Sequence, residues 1–371
     1  MKAVILIGGE GTRLRPLTYL TPKPMLPLVN RPFMENFISW LRFHNIKDIL
    51  FSAGYLSEAF KNYFRDGTGF GVRITFVEEK EPLDTCGGVK NVEKYLGDDS
   101  FFVFNGDILS SLDLTAMVSF HRKKEADITI SLTPVDDPTS YGLVLTDEES
   151  RVLEFLEKPG KDAIVTNLIN AGVYIIEPHI MELVPEGKRY SFERELFPDV
   201  LSEGYRVFGY VSDCYWLDVG TPQKYLKAHH DILYKKINFE FPGEEVMENI
   251  YIGKGTTYLQ KNFVAGPVVI GNETEIDENA RIMPLTVMGD RCYISGGTEI
   301  SGSVIFNNCK IGKKCFIKNS IISNNVTIDD NVIIDGCSIV GDNSRIGKGN
   351  ILKNGIKIGI NSTISDGQIT F

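Results

Sequence analysis

Three absences narrow what this chain can do. No apolar run approaches the length of a membrane span, so no spanning helix is expected. The six cysteines never fall as Cys-x-x-Cys, and Met1 leads straight into an apolar strand with no leader-like charged and apolar regions. Free thiols in a reducing, cytoplasmic compartment are the expectation. All five histidines (His44, His121, His179, His229 and His230) lie before residue 231, so the rest of the chain has no imidazole with which to deprotonate an acceptor. A net charge of −10 argues against a general polyanion binder, nucleic acid included, and cations matter only where they cluster.

They cluster near the start. A Val- and Ile-rich run from Ala3 ends in Gly8, Gly9 and Gly11, followed by Thr12, Arg13, Arg15 and Lys23. It reads as a buried parallel strand opening into a loop whose backbone N–H groups face an anion. Glycine permits positive φ and close approach of a charged ligand, while Thr12, Arg13 and Lys23 add a hydroxyl and two cations. The loop lacks the Gly-Lys-Ser/Thr ending of a Walker loop and the spacing of the dinucleotide fingerprint. A plain tight turn is the simpler alternative, but a turn needs none of these cations.

At 371 residues the chain is about two domains long. Helices are predicted over 32–45, over 57–64 with Ser57 as cap, from 84 or 85 to 96, and over 191–202 with Ser191 as cap. Strands are predicted over 48–53, 72–77, 101–105, 127–133 and 170–176. Such alternation predicts a parallel sheet covered on both faces, with a ligand crevice at the carboxyl ends of its strands. The loop 81–88 either shares a ligand with the first loop or is a helix start capped by Asp84 or Thr85. Asp107 follows Gly106 at the end of one apolar strand, and Asp218 closes a second, Trp216-Leu-Asp218-Val-Gly220. Each alone could be a cap; together they could give two oxygen ligands to one Mg²⁺.

Beyond a polar break near 238–249 the sequence changes character. Apolar residues recur every six positions from Ile252, Tyr258 and Val264 through Ile300, slip by one at Ile305 and again at Ile322, and continue to Ile364. This is a hexapeptide solenoid, a prism of three flat sides with one inward rung per side and coil. Gly253, Gly271, Gly289, Gly312, Gly341, Gly347 and Gly359 directly follow rungs, where unusual φ/ψ is expected. Ala280, Cys292, Cys309 and Cys315 are expected as small core filler. With no histidine there, assembly as a homo-oligomer or contact with a regulator is a better reading of the solenoid than acyl transfer.

Taken together, Gly8-Gly9-x-Gly11-Thr12-Arg13-Leu-x-Pro16 with Pro22-Lys23-Pro24, Gly106-Asp107, Glu157-Lys158-Pro159, Asn170-x-Gly172, Trp216-x-Asp218-x-Gly220 and the C-terminal hexapeptides resemble the nucleotide-sugar pyrophosphorylases, or sugar-1-phosphate nucleotidyltransferases, over nearly the full length. Within that family the chain is most similar to the mannose-1-phosphate guanylyltransferases, with glucose-1-phosphate nucleotidyltransferases next. The resemblance implies an α/β fold: a Rossmann-like mixed, mostly parallel sheet in a nucleotidyltransferase domain (1–236), a linker (237–250) and a left-handed parallel β-helix (251–371). It implies transfer of a nucleoside monophosphate from a nucleoside triphosphate to a sugar 1-phosphate, GTP and mannose 1-phosphate first among the pairs, with Mg²⁺ as cofactor. A non-catalytic sensor of nucleotide sugar is the alternative from another class.

The resemblance also assigns roles. Arg13 takes the β/γ-phosphates, with Gly8, Gly9, Gly11 and Thr12 donating from the loop, and Lys23 lies at the α-phosphate. Asp107 and Asp218 hold the metal. Lys158 and, more loosely, Arg189 take the sugar phosphate, Glu157, Asn170 and Gly172 the sugar hydroxyls, and Gly142 backs the sugar. Asp84, Gly87 and Gly88 face the base. The family more often has Gly-Thr-Ala-Gly where this chain has Asp84-Thr85-Cys86-Gly87, so Asp84 is either an acceptor for guanine or a helix cap.

Overall fold

The apolar run at the start forms β1 (Ala3–Leu6), the middle of a nine-stranded sheet. The computed structural model describes the chain apart from residues 55, 56, 161, 163, 259–262 and 371, and the Ser57 side chain, expected as a cap, also lies outside it. By internal contacts the chain forms two units, Met1–Glu10 with Phe37–Leu217, and Gly11–Asn36 with Asp218–Phe371.

In the first unit β1 runs parallel to β2 (Asp48–Ala53), beyond which lies β3 (Arg73–Glu78), and on its other side to β4 (Phe101–Asn105). Val4, Phe102 and Phe104 are fully buried, as strands covered on both faces require. After β5 (Ile108–Ser110) come β6 (Ile128–Pro134), β7 (Gly142–Thr146), β8 (Val152–Glu157), β9 (Leu168–Ile176) and β10 (Val207–Val211). Strand β9 is antiparallel to β4, β6 and β7, while β10 is parallel to β6. The sheet is mixed, as the resemblance implies, and the parallel order expected from strand–helix alternation alone holds for the N-terminal half. It ends at the β7–β8 hairpin, whose short connection allows only an antiparallel return.

Helix α1 (Phe33–Phe43) sets Phe37 and Trp40 edge-on against Phe104, at 5.4 and 5.7 Å. Helices α2 (Ser57–Phe64), α3 (Asp84–Val92) and α4 (Leu114–Lys124) follow. Neither Asp84 nor Thr85 caps α3. The cap position is Leu83, with no side-chain bond, and Asp84 sits in the first turn at φ 63°. The Tyr190 carbonyl holds this helix start instead, accepting from Cys86 N and Gly87 N at 2.9 Å. Ser191 does cap its segment, accepting from Glu193 N and Arg194 N, but the first turn is a π-helix (Phe192–Leu196) leading into α5 (Phe197–Ser202). Pro198 has no N–H and crowds the carbonyl a turn before it, which favours the wider turn.

In the second unit, Gly11–Asn36 contains two 3₁₀ turns, Thr12–Leu14 and Lys23–Met25, and a small hairpin pairing Pro27–Leu28 with Arg31–Pro32. Helix α6 (Pro222–Leu233) starts on Thr221, whose hydroxyl accepts from Lys224 N at 3.3 Å. From Ile250 onward three parallel sheets form the prism, and every predicted rung falls in a strand, both slips included. A strand at Glu244–Met247, inside the segment expected as a linker, pairs antiparallel with Ile250–Ile252.

Tyr258 keeps the rung register, paired with the buried rung Ile276, but is 44% exposed because its strand is the end of its sheet and stacks on one side only. One expectation fails. The glycines after rungs are not left-handed. A Cβ on Gly271 would stand 2.5 Å from the Gly289 carbonyl carbon, and one on Gly253 2.5 Å from that of Gly271, so they are small because corners of successive coils touch. The left-handed corners lie at residues such as Asn308, Asn325 and Asn343, a conformation that Asn tolerates. Cys292, Cys309 and Cys315 are buried, and all six cysteines are free. Burial pushes the Cys315 thiol up to about 11 and Cys309 well above the usual range. Among the described residues no helix is long and apolar enough to cross a membrane.

Candidate functional site

In the second unit three cations gather near one carboxylate. Asp218 ends the strand Trp216–Asp218, Lys224 stands on the first turn of α6, and Lys23 begins a 3₁₀ turn framed by Pro22 and Pro24. Lys224 Nζ is 3.2 Å from Asp218 Oδ2, and Lys23 Nζ is 3.8 Å from Oδ1. That Oδ1 is buried and has no hydrogen-bond partner. A Cβ at Gly220 would lie 2.8 Å from both Arg13 Nη2 and Asp218 Oδ1, so the Arg13 guanidinium occupies the notch that glycine leaves. Gly11 is left-handed (φ 61°), and a Cβ there would meet Lys23 Cβ and Thr18 Cγ2 at 3.1 Å. Thr18 Oγ1 donates to the Gly11 carbonyl at 2.8 Å. The turn bearing Thr12 and Arg13 is thus pinned beside Lys23.

In the first unit the carboxyl ends of β1, β2 and β4 meet, with Leu6 in register with Ser52 and Asn105. Gly106 N donates to the Leu6 carbonyl at 3.1 Å, and a Cβ there would lie 2.7 Å from that oxygen. Only glycine lets the chain turn so tightly against β1 and deliver Asp107. Gly9 has open space around it, whereas Gly8 and Gly88 both face Glu79, at 3.6 and 3.0 Å from their would-be Cβ atoms. Glu79 accepts from Ser52 Oγ at 2.8 Å and Leu83 N at 3.2 Å. Gly87 is glycine because the Lys188 carbonyl would lie 2.6 Å from a Cβ. Asp84 Oδ1 accepts from Thr85 N at 2.9 Å, and Oδ2 is 3.7 Å from Arg189 Nη2. Arg189 thus stands at the Asp84 loop.

A second group in the same unit joins the other motifs. Gly142 is paired with Glu157 across β7 and β8, and Lys158 Nζ is 2.9 Å from Glu157 Oε1. Gly172 (φ 73°) lies at an irregularity of β9, where a Cβ would be 2.7 Å from Asn105 Nδ2, and its N–H donates to Asn170 Oδ1 at 3.0 Å. The Asn-x-Gly motif therefore abuts the strand end that precedes Asp107. Trp216 Nε1 donates to the Ala171 carbonyl at 2.9 Å, its ring edge-on to Tyr141. Glu193 accepts from Ser191 Oγ (2.8 Å), Thr85 Oγ1 (3.3 Å) and Tyr174 OH (3.4 Å), and Asn170 Nδ2 donates to Tyr174 OH at 2.7 Å. Burial holds the Tyr174 phenol well above its usual range, so it stays a neutral donor. Sequence reading singled out neither Glu79, Glu193 nor Lys224. Asp107 and Asp218 belong to different units.

The comparisons with known proteins bear on the family and the fold. Residues 2–235 match the family described as nucleotidyl transferase, and residues 247–352 match the EIF2B subunit epsilon LbH domain, which makes the solenoid a left-handed β-helix. The UTP-glucose-1-phosphate uridylyltransferase of Synechocystis sp. is 36% identical, over 84% of this chain and 84% of its own. The mannose-1-phosphate guanylyltransferase of Mycobacterium tuberculosis is also 36% identical, over 83% of this chain and 80% of its own. Among solved structures, HddC from Yersinia pseudotuberculosis complexed with GMP-PN is 31% identical, with a TM-score of 0.54 over 61% of this chain and 97% of that one. With the family match covering most of the chain and relatives alike over nearly its whole length, this chain belongs to the nucleotidyl transferase family.

Proposed function

We propose that this chain is a sugar-1-phosphate nucleotidyltransferase that converts GTP and mannose 1-phosphate to GDP-mannose and pyrophosphate. The alternative pairing is glucose 1-phosphate with UTP, dTTP or ATP. Relatives of equal identity carry names of both kinds. The observation that carries the reading is Asp218, with one buried oxygen that accepts no hydrogen bond, set among Lys23, Lys224 and Arg13.

An oxygen of the sugar 1-phosphate attacks the α-phosphorus, the bond from that phosphorus to the bridging oxygen breaks, and pyrophosphate leaves in line. The reactants are all anions, so positioning and electrostatics carry the catalysis. In this reading Gly8, Gly9, Gly11 and Thr12 donate from the loop. Arg13, seated in the Gly220 notch, takes the β/γ-phosphates and neutralises the leaving pyrophosphate, and Lys23 serves the α-phosphate. Lys158, oriented by Glu157, binds the sugar phosphate; Asn170 and Gly172 bind sugar hydroxyls, steadied through Tyr174 and Glu193, and Gly142 backs the ring. Asp84, Gly87 and Gly88 border the base, and Arg189, 3.7 Å from Asp84, is the looser candidate for the sugar phosphate.

The residues present fit Mg²⁺. A buried carboxylate oxygen without a donor suits a hard cation, and Asp218 Oδ1 is one; Asp107 would be the second ligand. Among the described residues no three His, Cys, Asp or Glu side chains gather to hold a metal, as fits an ion completed by substrate phosphates. When bound it would neutralise phosphate charge. We further read the solenoid as the surface for homo-oligomer assembly, checked by light scattering, and the six free thiols as fitting a cytoplasmic location.

The test is a matrix of four nucleoside triphosphates against mannose, glucose and N-acetylglucosamine 1-phosphates with Mg²⁺. Pyrophosphate release is expected, fastest with GTP and mannose 1-phosphate. Release from no pair overturns the reading, and a faster glucose pair moves it to the alternative.

A further inference from the structure

The solenoid has three outward-facing rows, one per side. On two sides the residue before each rung is often charged and exposed, as at Glu275, Lys310, Arg345 and Arg281. On the third side it is Val269, Val287, Val304, Ile321 and Ile339, in register along one sheet and each at most 1% exposed. A buried aliphatic row on the outside of a solenoid marks a covered face. Pieces of the same unit touch this side. Asn30 Nδ2 donates to the Met288 carbonyl at 2.6 Å, His230 Nε2 is 2.9 Å from the Gly302 carbonyl, and the Tyr225 and Phe306 rings are 6.5 Å apart.

The next residue in that row, paired with Ile339, is Lys357. Its Nζ donates to the Arg13 carbonyl at 3.1 Å. The local chain explains why no backbone donor reaches that exposed carbonyl. In the turn Thr12–Leu14 the carbonyls of Gly11 and Thr12 accept from Leu14 N and Arg15 N, at 3.0 and 3.2 Å. The corresponding donor for the Arg13 carbonyl would be residue 16, and Pro16 has no N–H. Lys357 supplies from the last coils what the turn cannot supply itself.

We propose that Lys357 is a positioning residue for the nucleotide end of the site. By holding the Arg13 carbonyl it fixes the backbone that aims the Arg13 guanidinium, so the far end of the solenoid sets the geometry of the pyrophosphate-binding turn. This rests on Arg13 serving the β/γ-phosphates. A small misplacement of such a group weakens contacts to the triphosphate and leaves those to the sugar phosphate alone.

Full-length Lys357→Met and Lys357→Arg decide it. Lys357→Met is expected to raise KM for GTP about three- to tenfold, the worth of one hydrogen bond, with KM for mannose 1-phosphate and Tm unchanged; Lys357→Arg is expected to restore KM for GTP. Amide exchange at Leu14 and Arg15 reads the turn without turnover and is expected to quicken in Lys357→Met. Unchanged exchange, or a KM change shared by both substrates, overturns the inference. An inactive wild type whose Leu14 and Arg15 amides still respond would instead overturn the functional reading and keep the positioning role.

Discussion

At the scale of single residues, Asp218 and Gly220 make opposite contributions. Asp218 keeps one carboxylate oxygen buried with no hydrogen-bond donor, only the Lys23 cation at 3.8 Å, while Lys224 bonds the other; a buried acceptor without its hydrogen bond is a poor arrangement for the fold alone. Asp218→Asn and Asp107→Asn should therefore each cut pyrophosphate release by about a hundredfold or more, as expected when a main charge-stabilising contact is lost, with thermal midpoints close to wild type. Full activity in either variant removes that aspartate from the metal site. Gly220→Ala tests the notch. The added Cβ would collide with the far ends of the Arg13 and Asp218 side chains, each at 2.8 Å, which can swing away without unfolding anything, so KM for GTP should rise and turnover fall while Tm holds. Arg13, Lys23 and Asp218, which the structure brings together, stand out in the sequence because each lies in a compact motif. Glu193 and Lys357 do not, since they meet Thr85 and Arg13 across separations of 108 and 344 residues.

At the scale of elements, α6 shows how a helix carries a loop and a liability together. His229 is fully buried, its Nδ1 accepts from Val29 N at 3.3 Å in the hairpin turn, and its ring lies 4.7 Å from Tyr225. Burial, with some help from neighbouring His230, holds its pKa down to about 3. The folded imidazole thus stays neutral where the unfolded one, with a pKa near 6.5, gains a proton. Its contribution to stability is complete above about pH 6.5 and is lost as the pH falls toward 3, amounting to about 2 kcal/mol by pH 5. Urea titrations at pH 7 and pH 5 should show that loss, and His229→Gln, which keeps an acceptor but does not titrate, should show a loss smaller by about that amount. An identical loss in the variant assigns the acid sensitivity to other groups. The solenoid rungs were the most legible elements because one six-residue spacing recurs along the whole prism and its two slips are visible. The start of α3 was not, because a carbonyl about a hundred residues away does what a capping side chain was expected to do.

At the scale of the whole molecule, the division into units decides what the N-terminal motif depends on. Gly11–Asn36, with Arg13 and Lys23, clusters with the solenoid rather than with the β1 strand that precedes it in sequence. The row Val269, Val287, Val304, Ile321 and Ile339 was visible in the sequence as apolar residues on one outward face only. In sequence an apolar residue beside a rung is indistinguishable from more core. If that row and the Asn30 and Lys357 bonds make the segment part of one cooperative unit, damage inside the prism must reach it. Ile322→Ala removes a fully buried rung of the covered sheet and should cost about 2–5 kcal/mol. Hydrogen exchange should then quicken at its own coils and also at Leu14 and Leu26, whose amides bond to the Gly11 and Lys23 carbonyls. Phe102, which donates to the Lys2 carbonyl within the other unit, should keep its protection. Wild-type exchange at Leu14 and Leu26 in that variant would show that the motif opens independently of the coils, and that the solenoid supports it at Arg13 alone.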